Sequence, residues 1–193
     1  MLKELRLALF LIAAMTVLTG IAYPLVVTGI AQMLFPWRAN GSIVLDEAGQ
    51  PIGSALIAQR FDRPDYFHPR PSAVDYDAQG SGASNAAPSS KRLIAAITAR
   101  TEAERATSSE RKIPVEMVTA SASGLDPHIS ADAAYAQAPR VARLRNMAEG
   151  DIWKLIGDHV EDRSLGFIGE LRVNVLELNR ALDALPRQGE AVR

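Results

Sequence analysis

The stretch TASASGLDPHIS, Thr119 to Ser130, gathers hydroxyls, an acid and a base within a dozen residues. Ser121 or Ser123 as nucleophile, His128 as base and Asp126 as the orienting acid would make a hydrolytic triad. Such chemistry needs the nucleophile at a strained turn, and no G-x-S-x-G elbow is present. Asp126 and His128 straddle Pro127, so both are held in a turn. Local physics offers a plainer role. Asp-Pro starts a turn, Gly124 permits a positive φ, and Ser130 can cap a following helix. The stretch then reads as a connector with no catalytic residue, leaving Leu125, Asp126 and His128 as candidates for contact with a partner. A hydrolase using Ser121 or Ser123 is the rival reading.

Other chemistry-bearing residues are sparse. YFHPRPSA places His68 and Arg70 two apart among aromatics and prolines. That Arg can bind an anion, such as a partner's carboxylate, or satisfy loop carbonyls, and both residues are partner-interface candidates. The glycine-rich GSGASNAAPSS, residues 80–90, is no P-loop: Lys91 has no preceding Gly and no following Ser or Thr. No nucleotide-binding residue can be named. Cysteine is absent and the three histidines, His68, His128 and His159, are scattered, so no metal site is expected. A net charge of −1 argues against a nucleic-acid partner.

The elements around these residues begin with a membrane-type helix. No charge occurs between Arg6 and Arg38, a run longer than the ~20 apolar residues a bilayer needs. Pro24 predicts a kink, and the Phe35–Trp37 aromatics suit a membrane–water boundary. A cleaved signal peptide is the competing reading, but the apolar residues 25–35 beyond its cleavage site favour a retained anchor. Lys3 and Arg6 place the N-terminus in the cytoplasm. The expected division is a cytoplasmic tail 1–6, a transmembrane helix 7–36 with its core at about 9–31, and an extracytoplasmic domain 37–193. Ala13, Thr16 and Gly20 share one face of small residues, which either admits another helix or simply meets lipid.

The outer segment reads as one compact α+β domain. Ile43–Leu45 and Ile52–Ile57 form two strands around a turn, and residues 61–76 are ordered but irregular. A helix starts at Lys91 behind Ser90, with Leu93, Ile94 and Ile97 on one face. Pro114 opens a short helix, and Ser130 caps another that Pro139 must break or restart. Asp151 caps the next, with Ile152, Leu155, Ile156 and His159 on one side. GFIGELRV supplies a short strand, and Asn174 with Glu177 begins the last helix.

In this order, FPW.ANGS, GSALI.Q.F, YFH.RPSA, SG.SN, VTASASGLDPHIS, RVA..RN and RVNVLELN resemble the KdpC family over nearly the whole chain. These are small accessory subunits of the bacterial potassium-transporting Kdp ATPase. The departures are modest: Ala83 and Ala86 where the family often shows Gly and Leu, and Pro69 for a common Gly. The resemblance implies an inner-membrane complex with a channel-like potassium-binding subunit, a P-type ATPase subunit and a very small hydrophobic subunit. It implies no cofactor for this chain, since ATP and potassium are handled by the complex. It further implies an assembly role and a catalytic-chaperone effect raising the ATP affinity of the ATPase subunit. No D-K-T-G phosphorylation motif is present, which fits an accessory subunit.

Overall fold

The computed structural model describes residues 1–46, 48–107 and 112–185. The chain divides into two compact units, Met1–Ile52 and Gly53–Arg193. In the first, α1 (Leu2–Val17), a π-helical turn (Leu18–Ala22) and α2 (Tyr23–Leu34) form a continuous apolar helix of 33 residues, long enough to cross a membrane. The π turn stands where a kink was expected. Pro24 lacks an N–H and its ring crowds the carbonyl of Gly20, and the wider turn just upstream relieves both. Helical backbone begins at Leu2, earlier than residue 7, and stops at Leu34. Phe35 precedes Pro36, which keeps it out of the α region, with φ −139° and ψ 55°. A single turn, α3 (Pro36–Ala39), follows, and the Trp37 indole donates to the Ile43 carbonyl at 3.0 Å. The hairpin β1 (Ile43–Leu45) and β2 (Pro51–Ser54) is closed by Asp46, whose carboxylate accepts the Gln50 amide at 2.7 Å. The second strand ends before Ile57, because the Ser54 hydroxyl accepts the Leu56 amide and turns the chain.

The second unit has the α+β composition expected. Its helices are α4 (Lys91–Thr107), α5 (Val115–Val118), α6 (Ala131–Arg145), α7 (Glu149–Asp158) and α8 (Val175–Ala184). Strands β3 (His128–Ser130), β4 (Val160–Glu161) and β5 (Arg172–Asn174) form an antiparallel sheet in the order β3-β5-β4. Ile129 and Val160 both pair with Val173, so the central strand contributes one apolar face to the core. Ile152 and Ile156 of α7, Leu178 and Leu182 of α8, and Val141 of α6 complete that core.

Local signals hold where the chain decides its own geometry. Ser130 caps α6, its hydroxyl accepting the Ala133 amide at 3.1 Å, and Asn174 caps α8 through the amides of Leu176 and Glu177. Three expectations fail. Pro139 neither breaks nor restarts α6, because the helix is buried on both sides of it, and burial outweighs a penalty of ~3 kcal/mol. Asp151 lies inside the first turn of α7, whose cap position is Ala148. Ile94 is exposed, and α4 buries no residue fully. GFIGELRV does supply a short strand, through its Arg172-Val173 end.

The site depends most on how the proline-rich segment is held. Pro64, Pro69 and Pro71 have no N–H, and residues 61–76 join no strand, so the buried groups of residues 64–68 need other partners. Side chains of α6 and α8 supply them. Asn179 accepts the Phe67 amide at 2.8 Å and donates to its carbonyl at 2.9 Å. Gln137 does the same for His68, at 2.8 and 3.1 Å. Arg140 donates to the carbonyls of Pro64 and Tyr66 and, at 2.7 Å, to Gln137. The Arg145 side chain is almost wholly buried, donating to the Asp65 carbonyl at 3.0 Å and pairing with Asp183 at 2.7 Å. Its guanidinium lies over the Tyr66 ring, whose hydroxyl also reaches Asp183.

Asn179→Leu strands both the N–H and the C=O of Phe67 in an apolar interior. At about 1–3 kcal/mol per unsatisfied group, the full chain in detergent should lose ~2–5 kcal/mol in denaturant titration. Burial, with the Arg140 charge adding to it, holds the His68 imidazole below its ordinary value of 6.5. A His depressed in the folded state adds stability that is complete above its unfolded value and lost as pH falls beneath it. The melting temperature of the wild type should therefore fall between about pH 7 and pH 5, and less steeply for His68→Gln.

Candidate functional site

The stretch from Ser121 to Ser130 is joined to its surroundings by backbone. The Ser121 amide donates to the Pro71 carbonyl at 2.9 Å, the Gly82 amide to the Ser123 carbonyl at 2.8 Å, and the Ala58 amide to the Leu125 carbonyl at 2.9 Å. Three separate segments are thus fastened to one loop. The loop turns at Gly124, with φ +70°, where a Cβ would meet Val74 Cγ2 at 2.5 Å and the Gly82 carbonyl oxygen at 2.7 Å. Glycine is required there both for its backbone conformation and for the space.

Every group of the apparent triad has a structural partner. The buried Ser121 hydroxyl accepts the Gly124 amide at 2.9 Å, and Ser123 accepts the Leu125 amide at 3.1 Å. Asp126 accepts the His128 amide at 3.0 Å, forming the Asx turn that Asp-Pro favours. The ring of His128 faces two carboxylates, Asp126 at 3.8 Å and Glu161 at 3.7 Å, and hydrogen-bonds to neither serine among the described residues. Among the described residues these groups assemble no nucleophile–base pair. Ser130 does more than cap: its amide and hydroxyl also donate to Glu116 of α5.

What the fold assembles instead is a charged strip. Arg70 Nη1 stands 3.6 Å from Asp126, whose other oxygen faces His128; His128 faces Glu161, and Glu161 takes the Arg172 guanidinium at 2.8 Å. These five side chains come from the irregular segment, the β3 approach and the β4–β5 pair, and all are partly solvated. The strip can bind and orient a polar partner. It brings together Arg70, Asp126 and His128, with Leu125 half-buried beside them. Glu161 and Arg172 were missed in the sequence, because a two-residue strand such as β4 leaves no periodic signal.

His68 lies apart from this strip, in the wall of a cleft of about 270 Å³ with Arg60, Asp62, Asp75, Arg100 and Glu104. Its Nε2 reaches the Arg63 carbonyl at 3.1 Å, so the ring acts first as a brace. Burial raises the Glu104 carboxyl above its usual value against the pull of Arg140. His159 caps the end of α7, its Nδ1 on the Leu155 carbonyl at 2.8 Å, and among the described residues no acid–histidine group is arranged for a metal. On the apolar helix Ala13, Thr16 and Gly20 are all exposed, Gly20 within the π turn, where a Cβ would meet nothing within 4 Å.

Comparison with known proteins identifies the family. The family described as "K+-transporting ATPase, c chain" matches residues 5–184. A potassium-transporting ATPase KdpC subunit from Geobacter sulfurreducens is 50% identical over 186 residues, covering 95% of this chain and 98% of the relative. Proteins of the same name from Cereibacter sphaeroides and Caulobacter vibrioides are each 52% identical, covering 95% of this chain and 98% and 94% of their own lengths. With the match running from the apolar helix to the last turns of α8, the chain belongs to the KdpC family of potassium-transporting ATPase subunits.

Proposed function

We propose that the chain is a non-catalytic accessory subunit of an ATP-driven, high-affinity potassium uptake complex, and that it stabilises the assembly. The observation that carries this reading is the use made of the TASASGLDPHIS groups. Both serine hydroxyls and the Asp126 carboxylate accept backbone amides, which leaves a shaped polar surface and no reactive pair. The partners would be the channel-like potassium-binding subunit, the P-type ATPase subunit and the very small hydrophobic subunit. ATP and potassium are then handled by the complex, with no cofactor belonging to this chain.

Placement follows from charge. Lys3 and Arg6 precede the apolar helix, so the N-terminus stays in the cytoplasm and the α+β domain lies in the periplasm of an inner membrane. From there the domain would sit over the outer mouth of the channel-like subunit, while Ala13, Thr16 and Gly20 offer a close-packing face within the bilayer. A nucleotide site on the far side of the membrane is out of its direct reach. Any chaperone-like rise in ATP affinity of the ATPase subunit would therefore be transmitted through the assembled complex.

Protease added to intact spheroplasts should digest the domain and spare the N-terminal tail; a domain protected until lysis would reverse the orientation. In co-purification from solubilised membranes, the wild-type chain should bring the larger subunits with potassium-stimulated ATPase activity. His128→Ala should weaken that retention by a few-fold at most, since partly exposed ion pairs are worth ~1 kcal/mol or less. Recovery of the chain alone would overturn the subunit reading, and a hydrolytic activity abolished by this substitution would restore the rival.

A further inference from the structure

We propose that Arg38, at the end of the apolar helix opposite Arg6, holds the phosphodiester of a membrane phospholipid. The rings of Phe35 and Trp37 lie against the glycerol and upper acyl chains of that lipid. This rests on the reading of the apolar helix as a retained membrane span. Depth along the helix says what surrounds Arg38. From Leu7 to Leu34 the helix rises about 40 Å at 1.5 Å per residue, close to the ~40–45 Å of a bilayer with its headgroups. With Arg6 in one headgroup layer, Leu34 emerges into the other, and α3 starts two residues later at Pro36. The anions at that level are lipid phosphates.

The turn leaves one polar group unmet. The Trp37 indole donates to the Ile43 carbonyl at 3.0 Å. The side-chain amides of Gln32 and Asn40 exchange hydrogen bonds at 3.2 and 3.3 Å, and Asn40 also donates to the Pro36 carbonyl at 2.7 Å. The exposed Arg38 guanidinium has neither hydrogen bond nor ion pair among the described residues. Its backbone is held all the same: the Gly41 amide donates to the Arg38 carbonyl at 3.1 Å and the Ser42 amide to the Trp37 carbonyl at 3.0 Å. A cation carried on a fixed turn is pre-organised for its anion.

The side chains around it set the chemistry of the ligand. A guanidinium offers parallel N–H donors that match two oxygens of a phosphodiester. Leu34, Phe35 and Trp37 are 61%, 56% and 50% exposed beside it, and aromatic rings settle at headgroup level. The ligand is therefore amphiphilic, an anion joined to an apolar body. Arg38 is the only Lys or Arg between residues 7 and 59, so no basic cluster selects lipids by net charge. What is recognised is the phosphodiester, which zwitterionic and anionic phospholipids share.

The full chain is placed in nanodiscs with a phospholipid bearing a photoreactive diazirine in its headgroup, irradiated, and its adducts mapped by mass spectrometry. Wild type should be labelled within residues 35–43 and near Lys3 and Arg6. Arg38→Gln should lower the first adduct about tenfold and leave the second unchanged, while Arg38→Lys restores part of the loss. A diazirine-bearing diacylglycerol without phosphate should label residues 35–43 equally in wild type and Arg38→Gln. Equal phospholipid labelling of wild type and Arg38→Gln overturns the proposal. So does competition by inorganic phosphate, which makes free phosphate the ligand, or loss of the adduct on assembly with the partner subunits, which gives Arg38 to a protein carboxylate. If neither end of the helix is labelled, the reading of a membrane span falls with it.

Discussion

An extended backbone that joins no sheet must still find a partner for each buried amide and carbonyl, and this constraint organises the domain. Residues 64–68 form the segment concerned, with Phe67 wholly inside the core. Five side chains spaced along α6 and α8 meet it: Gln137, Arg140, Arg145, Asn179 and Asp183. Each helix is thereby fixed in rotation as well as position, because an amide side chain that grips the N–H and the C=O of one residue tolerates little turning. The apolar core supplies the bulk of the burial. The polar clamp selects which packing of these helices the chain adopts.

The clamp also explains the buried arginines. A guanidinium removed from water costs several kcal/mol unless its charge and its donors are met. Arg145 has the Asp183 carboxylate, the Asp65 carbonyl and the face of Tyr66, and Asp183 is in turn held by the Tyr66 hydroxyl. Arg140 spreads its donors over two carbonyls and Gln137. Arg145 Nη2 alone of these donors is buried without a hydrogen-bond partner, and the remaining contacts tie the loop to both helices. The charged strip of Arg70, Asp126 and His128 begins two residues beyond His68, whose backbone Gln137 holds.

Legibility from sequence follows the range of the interactions. Ser130 and Asn174 were readable as caps because a cap is a contact across three residues, and the apolar side of α7 was readable because its period repeats. The strand β3 was not read at all, and of β5 only the Arg172-Val173 end was, since so few residues display little alternation. Pro139 misled because its local penalty is real, and only the packing of α6 shows that it is overridden. Gln137 and Asn179 carry no sequence mark of their role: a buried amide in a helix looks like any surface amide until the segment it grips, more than sixty residues away, is placed beside it. In the candidate site the residue types were legible and their partners were not. His128 and Asp126 are indeed neighbours, but the serines face the backbone and Glu161 enters from a strand the sequence did not disclose.

A sequence block can therefore look catalytic for a reason that is purely architectural. Where a chain fastens several loops to one another without a sheet, it needs many small acceptors for stray amides, and serine and aspartate are the shortest that serve. It needs glycine where two backbones come within a Cβ of each other, as at Gly124 beside the Gly82 carbonyl. Ser121, Ser123, Gly124 and Asp126 are the residues such a junction demands, and they are also the raw materials of an active site. The two differ in what the hydroxyl is doing. A nucleophile must keep its oxygen accessible and its proton directed at a base, whereas Ser121 is buried with its oxygen turned to an amide. The charged strip follows from the same logic: it is the outer side of satisfied loops, and what it offers is orientation.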